Sequence, residues 1–240
     1  MKVLGIIPAR HDSSRFPGKP LIDLKGKTMI QRVYEGALKA QMIDTLVVAT
    51  DDARIEAEVL RFGGKVLMTS AQHQSGTDRC AEVLAHFPGY DVVINIQGDE
   101  PLVSAQQLDA LLGAFQAPEV QIATLVHPHV SQEDLENPNR IKVLENHKQT
   151  AIYFSRSPLP NMHYAKMNAF PWLRHIGLYA YRSSILQALS QLAPCLLEQA
   201  ESLEQLRWLY YGYPIHLVRT TIETPNIDVP EDVQKVLPFL

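Results

Sequence analysis

Apolar residues along the chain fall into short blocks separated by polar, proline- or glycine-bearing turns. Lys2–Pro8 (KVLGIIP), Thr45–Thr50 (TLVVAT) and Asp91–Ile96 (DVVINI) have the length and β-branched content of strands buried on both faces. Between them the period changes to that of a helix. Ile30, Val33, Tyr34 and Ala37 share one side of a segment from Met29 to about Ala40, and Thr28 is placed to cap it. Asp51 or Asp52 can cap a second helix running to about Phe62, ended by Gly63-Gly64 and followed by a short strand, Lys65–Met68. A helix over Asp78–His86, a helix from Ser104 to about Gln116 and a strand over Gln121–His127 continue the alternation. Such alternation predicts an α/β fold with parallel strands joined by right-handed crossovers.

The second half is less regular. Arg140–Leu144 and Ala151–Ser155 read as a paired β excursion, and Pro158–Pro171 as a polar loop. A strand His175–Tyr181, a helix Leu196–Trp208, a strand Ile215–Val218 and a closing helix Glu231–Val236 complete the reading. The length suits one domain over residues 1–240, with a regular half (about 1–120) and a less regular one (about 121–240). Ligands in an open sheet of this kind sit beyond the carboxyl ends of the strands. The loops after Pro8, Thr50, Ile96 and Tyr181 are therefore the places for chemistry.

Composition narrows the classes. A net charge of -4 argues against a general affinity for nucleic acid, which needs surplus Lys and Arg. The apolar run before Pro8 is too short for a signal segment, and no stretch approaches the about 18 apolar residues of a membrane span. No membrane insertion and a cytoplasmic location are the expectation. Cys80 and Cys195 have no metal-type spacing and read as thiols in a reducing compartment.

The loop after the first strand carries Arg10, Arg15 and Lys19 interleaved with Ser13, Ser14, Pro17 and Gly18. Cations, hydroxyls and backbone N–H groups converging in this way suit a triphosphate. It is not a P-loop: Gly26-Lys27-Thr28 resembles the tail of one, but Leu21 stands where the earlier glycine is required. Read as P-A-R-x-x-S-S-R-x-P-G-K-P-L, the segment resembles the signature of sugar-activating nucleotidyltransferases. Ala49-Thr50-Asp51-Asp52, His73-Gln74-Ser75-Gly76-Thr77-Asp78-Arg79, Asn95-Ile96-Gln97-Gly98-Asp99-Glu100-Pro101, Asn137-Pro138-Asn139 and Tyr153-Phe154-Ser155-Arg156 follow in order. Arg174-His175-Ile176-Gly177-Leu178-Tyr179 and Leu203-Glu204-Gln205-Leu206-Arg207 end the series. From about residue 3 to residue 236 the chain closely resembles the 3-deoxy-manno-octulosonate cytidylyltransferases of Gram-negative bacteria.

That resemblance implies a Rossmann-like nucleotide-diphospho-sugar transferase fold with a mixed, mainly parallel central sheet. It implies transfer of CMP from CTP to 3-deoxy-D-manno-octulosonate, with release of pyrophosphate, for lipopolysaccharide synthesis. Arg10, Ser13 and Lys19, with Arg15 nearby, would hold the phosphates, and Ser75, Gly76 and Arg79 would line the cytosine and ribose pocket. Asp99 and Asp228 would be ligands of Mg2+, and with Lys19 and Arg10 they form the implied catalytic set. Gln97, Arg156, His175, Tyr179, Glu204 and Gln205 would surround the acid sugar. His175 and Tyr179 lie four apart on a strand and share a face, whereas Glu204 and Gln205 would stand about 100° apart on one continuous helix. A homodimer, with contacts in the second half, is also implied.

The match departs at the C-terminus. The family pattern G-[VI]-D-T-P-E-D is here Asn226-Ile227-Asp228-Val229-Pro230-Glu231-Asp232. Asn can replace glycine at positive φ, so a similar turn is feasible, but Val229 supplies no hydroxyl to support the metal. Three alternatives stay open: the same chemistry on an 8-amino-octulosonate or a sialic acid, a glycosyltransferase of related fold, and a non-catalytic nucleotide-binding relative. The glycosyltransferase reading leaves the Arg10–Lys19 cluster without a purpose.

Overall fold

The structure is a computed structural model, and it describes residues 1–12, 16–165 and 170–240. In chain order the elements are β1 (Val3–Ala9), α1 (Met29–Ala37), β2 (Thr45–Thr50), α2 (Ala53–Arg61), β3 (Val66–Met68), α3 (Gly76–His86), β4 (Val92–Asn95) and α4 (Ala105–Gly113). They continue with β5 (Ile122–His127), α5 (Gln132–Glu136), β6 (Lys142–Glu145), β7 (Ala151–Ser155), β8 (Leu173–Arg182) and α6 (Ser183–Leu189). The last elements are α7 (Leu196–Glu201), α8 (Gln205–Tyr210), β9 (Ile215–Arg219) and α9 (Asp232–Val236). The chain divides into two compact units, Met1–Leu112 with Glu223–Leu240, and Gly113–Ile222. The C-terminal segment that carries Asp228 thus belongs with the first unit, although it follows the whole of the second in sequence.

In the first unit β1 lies between β2 and β4, and β2 pairs with β3, all in parallel register. Val3, Leu4, Ile6 and Ile7 are essentially without exposure, as are Val47 and Val48 on β2 and Val92, Val93 and Ile94 on β4. Each such side chain contributes roughly 1.5–3 kcal/mol through removal from water, which is why these runs carry almost no polar residue. Helix starts follow the predicted capping chemistry. Thr28 accepts from the Gln31 N–H, and Asp52 from the Arg54 N–H. α3 begins at Gly76, earlier than Asp78, because Ser75 and Asp78 form a reciprocal capping box that satisfies the first-turn donors. The returning C-terminal segment packs Ile227 and Val236 against Leu24 and Met29, a satellite core under the 19–29 region.

In the second unit β5 pairs antiparallel with β8 and parallel with β9, while β6 pairs antiparallel with β7 and with β8. The β6–β7 hairpin is the predicted excursion. Parallel pairing in one unit and mixed pairing in the other place the chain in the α/β class. Trp208, Tyr179, Tyr181, Phe154 and His175 form an aromatic core with ring centroids 5.0–6.1 Å apart. Two helices, α5 and α6, were not foreseen. One predicted element is corrected: the helix expected over Leu196–Trp208 is two helices. Ser202 breaks it in the left-handed region at φ 51°, which terminates α7 and lets α8 start at Gln205. No helix among the described residues is long and apolar enough to cross a membrane.

Candidate active site

The first strand delivers its chain end to the site. Arg10 follows β1 directly, and its guanidinium donates to the carbonyl of His73, just before the Ser75 cap of α3. Ser13 and Arg15, expected at the phosphates, lie outside the described residues. Gly18 takes φ +72° and donates its N–H to the His11 carbonyl at 2.8 Å. A side chain is disfavoured there by the left-handed backbone, and this turn sets the direction of the 3-10 turn Lys19–Leu21.

Lys19 is the centre of the arrangement. Its Nζ donates to Asp99 Oδ2 at 2.8 Å and to the carbonyl of Ile227 at 2.9 Å. The Ile227 N–H donates in turn to the Asp99 carbonyl at 3.0 Å. Three segments that are distant in sequence therefore meet at one ammonium, and Asp228 is the residue next to Ile227. Lys19 is mostly buried, with 12% side-chain exposure against 28% for Asp99, so the pair is screened less than a surface bridge. Gly98 belongs to the same construction. A Cβ there would lie 2.7 Å from the Pro8 carbonyl oxygen, so only glycine lets the loop after β4 cross the end of β1.

Asp228 is supported differently from the family pattern. Asn226 has no positive φ; its Nδ2 instead donates to Asp228 Oδ2 at 3.0 Å. The expected glycine substitution by left-handed geometry is thereby corrected, and the amide supplies an aspartate contact in a segment where Val229 has no hydroxyl. Asp232 accepts from the Asp228 and Val229 N–H groups at 3.1 and 3.2 Å, which holds the turn. Glu100, beside Asp99, is buried, and desolvation together with the Asp99 charge pushes its pKa up to about 8. It therefore carries a proton at neutral pH.

The residues expected around the base divide. Ser75 uses its hydroxyl as the cap of α3, accepting from Asp78 N–H at 3.1 Å, and Gly76 begins the helix. Arg79 has no exposure: it donates to Asp51 Oδ2 at 2.7 Å and to the Thr69 hydroxyl. Its geometry is that of a buried tie between the loop after β2 and α3. Asp51 was visible in the quoted Ala49–Asp52 motif, but nothing in one sequence pairs it with Arg79.

In the second unit, His175 and Tyr179 touch at 5.3 Å between centroids despite a bulge in β8, and Thr124 hydroxyl lies 3.0 Å from His175 Nε2. Burial, and then the charge of Arg174, pushes the His175 pKa down to about 3, so the imidazole is neutral. Burial, with Glu204 nearby, pushes the Tyr179 phenol well above its ordinary value. Tyr179 packs edge-on to Trp208 of α8, the helix that Gln205 opens. Arg156 follows β7, and its guanidinium donates to the carbonyls of Glu201, Pro138 and Ser202. Gln97 sits in the first unit, in the loop after β4.

Among the described residues no group of three or more His, Cys, Asp or Glu side chains is arranged to hold a metal. Asp99 and Asp228, the two carboxylates expected to hold a cation, both lie in the first unit. That donor set suits Mg2+, which takes one or two carboxylates and completes its shell with phosphate oxygens and water.

A parallel α/β unit with the Lys19–Asp99 pair beyond its strands is the arrangement a nucleotidyltransferase requires to hold nucleotide phosphates. The comparisons with known proteins agree: a family profile described as Cytidylyltransferase matches residues 4–221. A 3-deoxy-manno-octulosonate cytidylyltransferase from Parabacteroides distasonis is 51% identical, with 100% of this chain and 98% of that protein covered. One from Syntrophobacter fumaroxidans is 49% identical over 100% of this chain and 97% of the relative. A solved CMP:2-keto-3-deoxy-manno-octonic acid synthetase in complex with CTP superposes with a TM-score of 0.94 at 44% identity, covering 100% of this chain and 98% of the other. The 4-diphosphocytidyl-2C-methyl-D-erythritol synthase of Anaerococcus prevotii shares the fold, with a TM-score of 0.65 at 12% identity over 99% of this chain and 97% of its own. The chain belongs to the cytidylyltransferase family and, within it, to the 3-deoxy-manno-octulosonate cytidylyltransferases.

Proposed function

We propose that this chain transfers the cytidylyl group of CTP to 3-deoxy-D-manno-octulosonate, forming CMP-3-deoxy-D-manno-octulosonate and pyrophosphate for lipopolysaccharide synthesis. The observation that carries the reading is the meeting of Lys19, Asp99 and the Ile227-Asp228 segment. In the reaction, the anomeric hydroxyl oxygen of the sugar bonds to the α-phosphorus, the bond from the α-phosphorus to the α,β-bridging oxygen breaks, pyrophosphate leaves with that electron pair, and the hydroxyl proton passes to solvent. Bound Mg2+, held by Asp99 and Asp228, would supply charge neutralisation at the α-phosphate.

The protein's own part is positioning and electrostatics. Lys19 and Arg10 would stabilise the negative charge that grows on the departing pyrophosphate. Lys19 is already oriented by Asp99 and Ile227, so little reorganisation accompanies the reaction. Ser13 and Arg15 would add phosphate contacts, and the N-terminal turn of α3 around Ser75 and Gly76 would face the nucleoside. Arg79 would act by bracing that turn. Gln97, Arg156, His175, Tyr179, Glu204 and Gln205 would present hydrogen-bonding groups to the sugar. His175, held neutral, suits hydroxyls rather than the carboxylate. The enzyme would work in the cytoplasm as a homodimer.

The test is pyrophosphate release from CTP and Mg2+ with a panel of acid sugars. The expected result is release with 3-deoxy-D-manno-octulosonate in preference to its 8-amino analogue and to sialic acid. Release only with a sialic acid would move the substrate, and no release with any sugar would favour a non-catalytic nucleotide binder. Sedimentation equilibrium at a twofold monomer mass is the expected outcome for the assembly.

A further inference from the structure

A buried cation in the second unit has no part in the chemistry above. Lys142, on β6, is 1% exposed. Burying an ammonium costs several kcal/mol unless it is well partnered, and desolvation lowers the pKa of this one. Its Nζ donates to two backbone carbonyls, Asn137 at 3.1 Å and Arg156 at 2.6 Å. Those carbonyls lie in the segment that leads into β6 and just after the end of β7, so the lysine pins together the two chain ends beyond the hairpin.

Arg156 is gripped from a second direction. The Glu201 carboxylate accepts from the Ser155 hydroxyl at 2.7 Å and from the Arg156 N–H at 2.9 Å. Arg156 Nε donates to the Glu201 carbonyl at 2.6 Å and its Nη2 to the Ser202 carbonyl at 3.3 Å. These are carbonyls at the C-terminus of α7, which a helix leaves without internal partners and where a cation is favoured. Ser202 is a non-glycine residue at φ 51°. A strained conformation of this kind persists where its surroundings hold it in place. The turn is closed by the Ser202 and Leu203 N–H groups on the Glu198 carbonyl, and the Arg156 guanidinium adds a contact to the Ser202 carbonyl from outside the helix. The break at Ser202 is what separates α7 from α8 and puts Glu204 at the N-cap position of α8, with Gln205, 6% exposed, as its first residue.

We propose that Lys142 and Glu201 are positioning residues of the acid-sugar half-site: by locking Arg156 and the Ser202 turn, they set where Arg156, Glu204 and Gln205 meet the sugar. This rests on the sugar-binding reading of those three residues given above. Neither Lys142 nor Glu201 touches substrate; both act through Arg156.

Steady-state kinetics with separate CTP and sugar titrations tests it, using Lys142→Met and the isosteric Glu201→Gln in the full chain. The expected result is a sugar KM raised about tenfold or more in each, with the CTP KM within about twofold of the parent. In an Arg156→Ala background Glu201→Gln should add less than about twofold, because both changes remove the same element. If Lys142→Met does not fold, Glu201→Gln decides, since it keeps size and one acceptor oxygen. A folded Glu201→Gln with an unchanged sugar KM overturns the proposal. So does an equal rise in both KM values, which a general loss of packing would give. If the parent prefers another acid sugar, the same titrations are run with that sugar, so the substrate assignment can fail while the positioning role stands. A parent that releases no pyrophosphate with any sugar overturns both.

Discussion

Glu100→Gln should change how stability depends on pH, by an amount fixed by the burial of one carboxyl. Glu100 is 7% exposed, its Oε2 has no hydrogen-bond partner among the described residues, and Asp99 precedes it. Desolvation, and then the Asp99 charge, raises its pKa from 4.5 to about 8. An unfolded chain ionises this group near its ordinary value. Between those two pKa values the folded state binds more protons than the unfolded one, so stability falls as pH rises through the window. At about 1.36 kcal/mol per pKa unit, the loss from about pH 5 to about pH 7 is roughly 2.5 kcal/mol, and it approaches its limit above about pH 8. Glutamine cannot ionise, so the variant lacks this slope. Urea unfolding followed by far-ultraviolet circular dichroism, in EDTA to exclude divalent cations, gives both curves. The stability difference, variant minus parent, should grow in the variant's favour as pH rises. Curves that stay parallel within about 0.5 kcal/mol from about pH 5 to about pH 8 would refute a buried, proton-carrying Glu100.

Other outcomes follow from single contacts. Lys19→Met removes the ammonium shared by Asp99 and Ile227 and should lower kcat about 100-fold or more, with the far-ultraviolet spectrum preserved; unchanged turnover would remove Lys19 from the pyrophosphate side. His175 stays neutral when folded, with a pKa of about 3 against 6.5 when free, so the unfolded state takes up a proton first as pH drops. Stability should therefore fall as pH decreases below 6.5 towards 3, and His175→Gln should flatten that part of a Tm–pH profile. Ser202→Gly relieves a positive-φ serine and, with the Arg156 contact to its carbonyl retained, should stabilise by about 1 kcal/mol in urea unfolding; destabilisation would show that the serine side chain matters more than its backbone.

The alternation of apolar runs and capped helices was enough to derive the α/β class, β1 through β5 and the β6–β7 hairpin, because those signals are local: a buried strand needs apolar neighbours, and a helix start needs a side-chain acceptor. The helix break at Ser202 left no such mark, since serine has no preference for the left-handed cap that the Glu198 carbonyl closes and Arg156 contacts from a distant part of the chain. Motif spelling named Lys19, Asp99 and Asp228 as members of one site, yet the meeting of Lys19 and Asp99 with the Ile227 backbone, next to Asp228, depends on the C-terminal segment returning to the first unit. The partners of Arg79 and Lys142 are visible only in the fold. Whether an arginine or a lysine is a hand for a ligand or a buried brace is decided by which carbonyls and carboxylates surround it, and those come from distant parts of the chain. Sequence order fixes which groups are present; burial and three-dimensional proximity determine their pKa, their partners and hence their work.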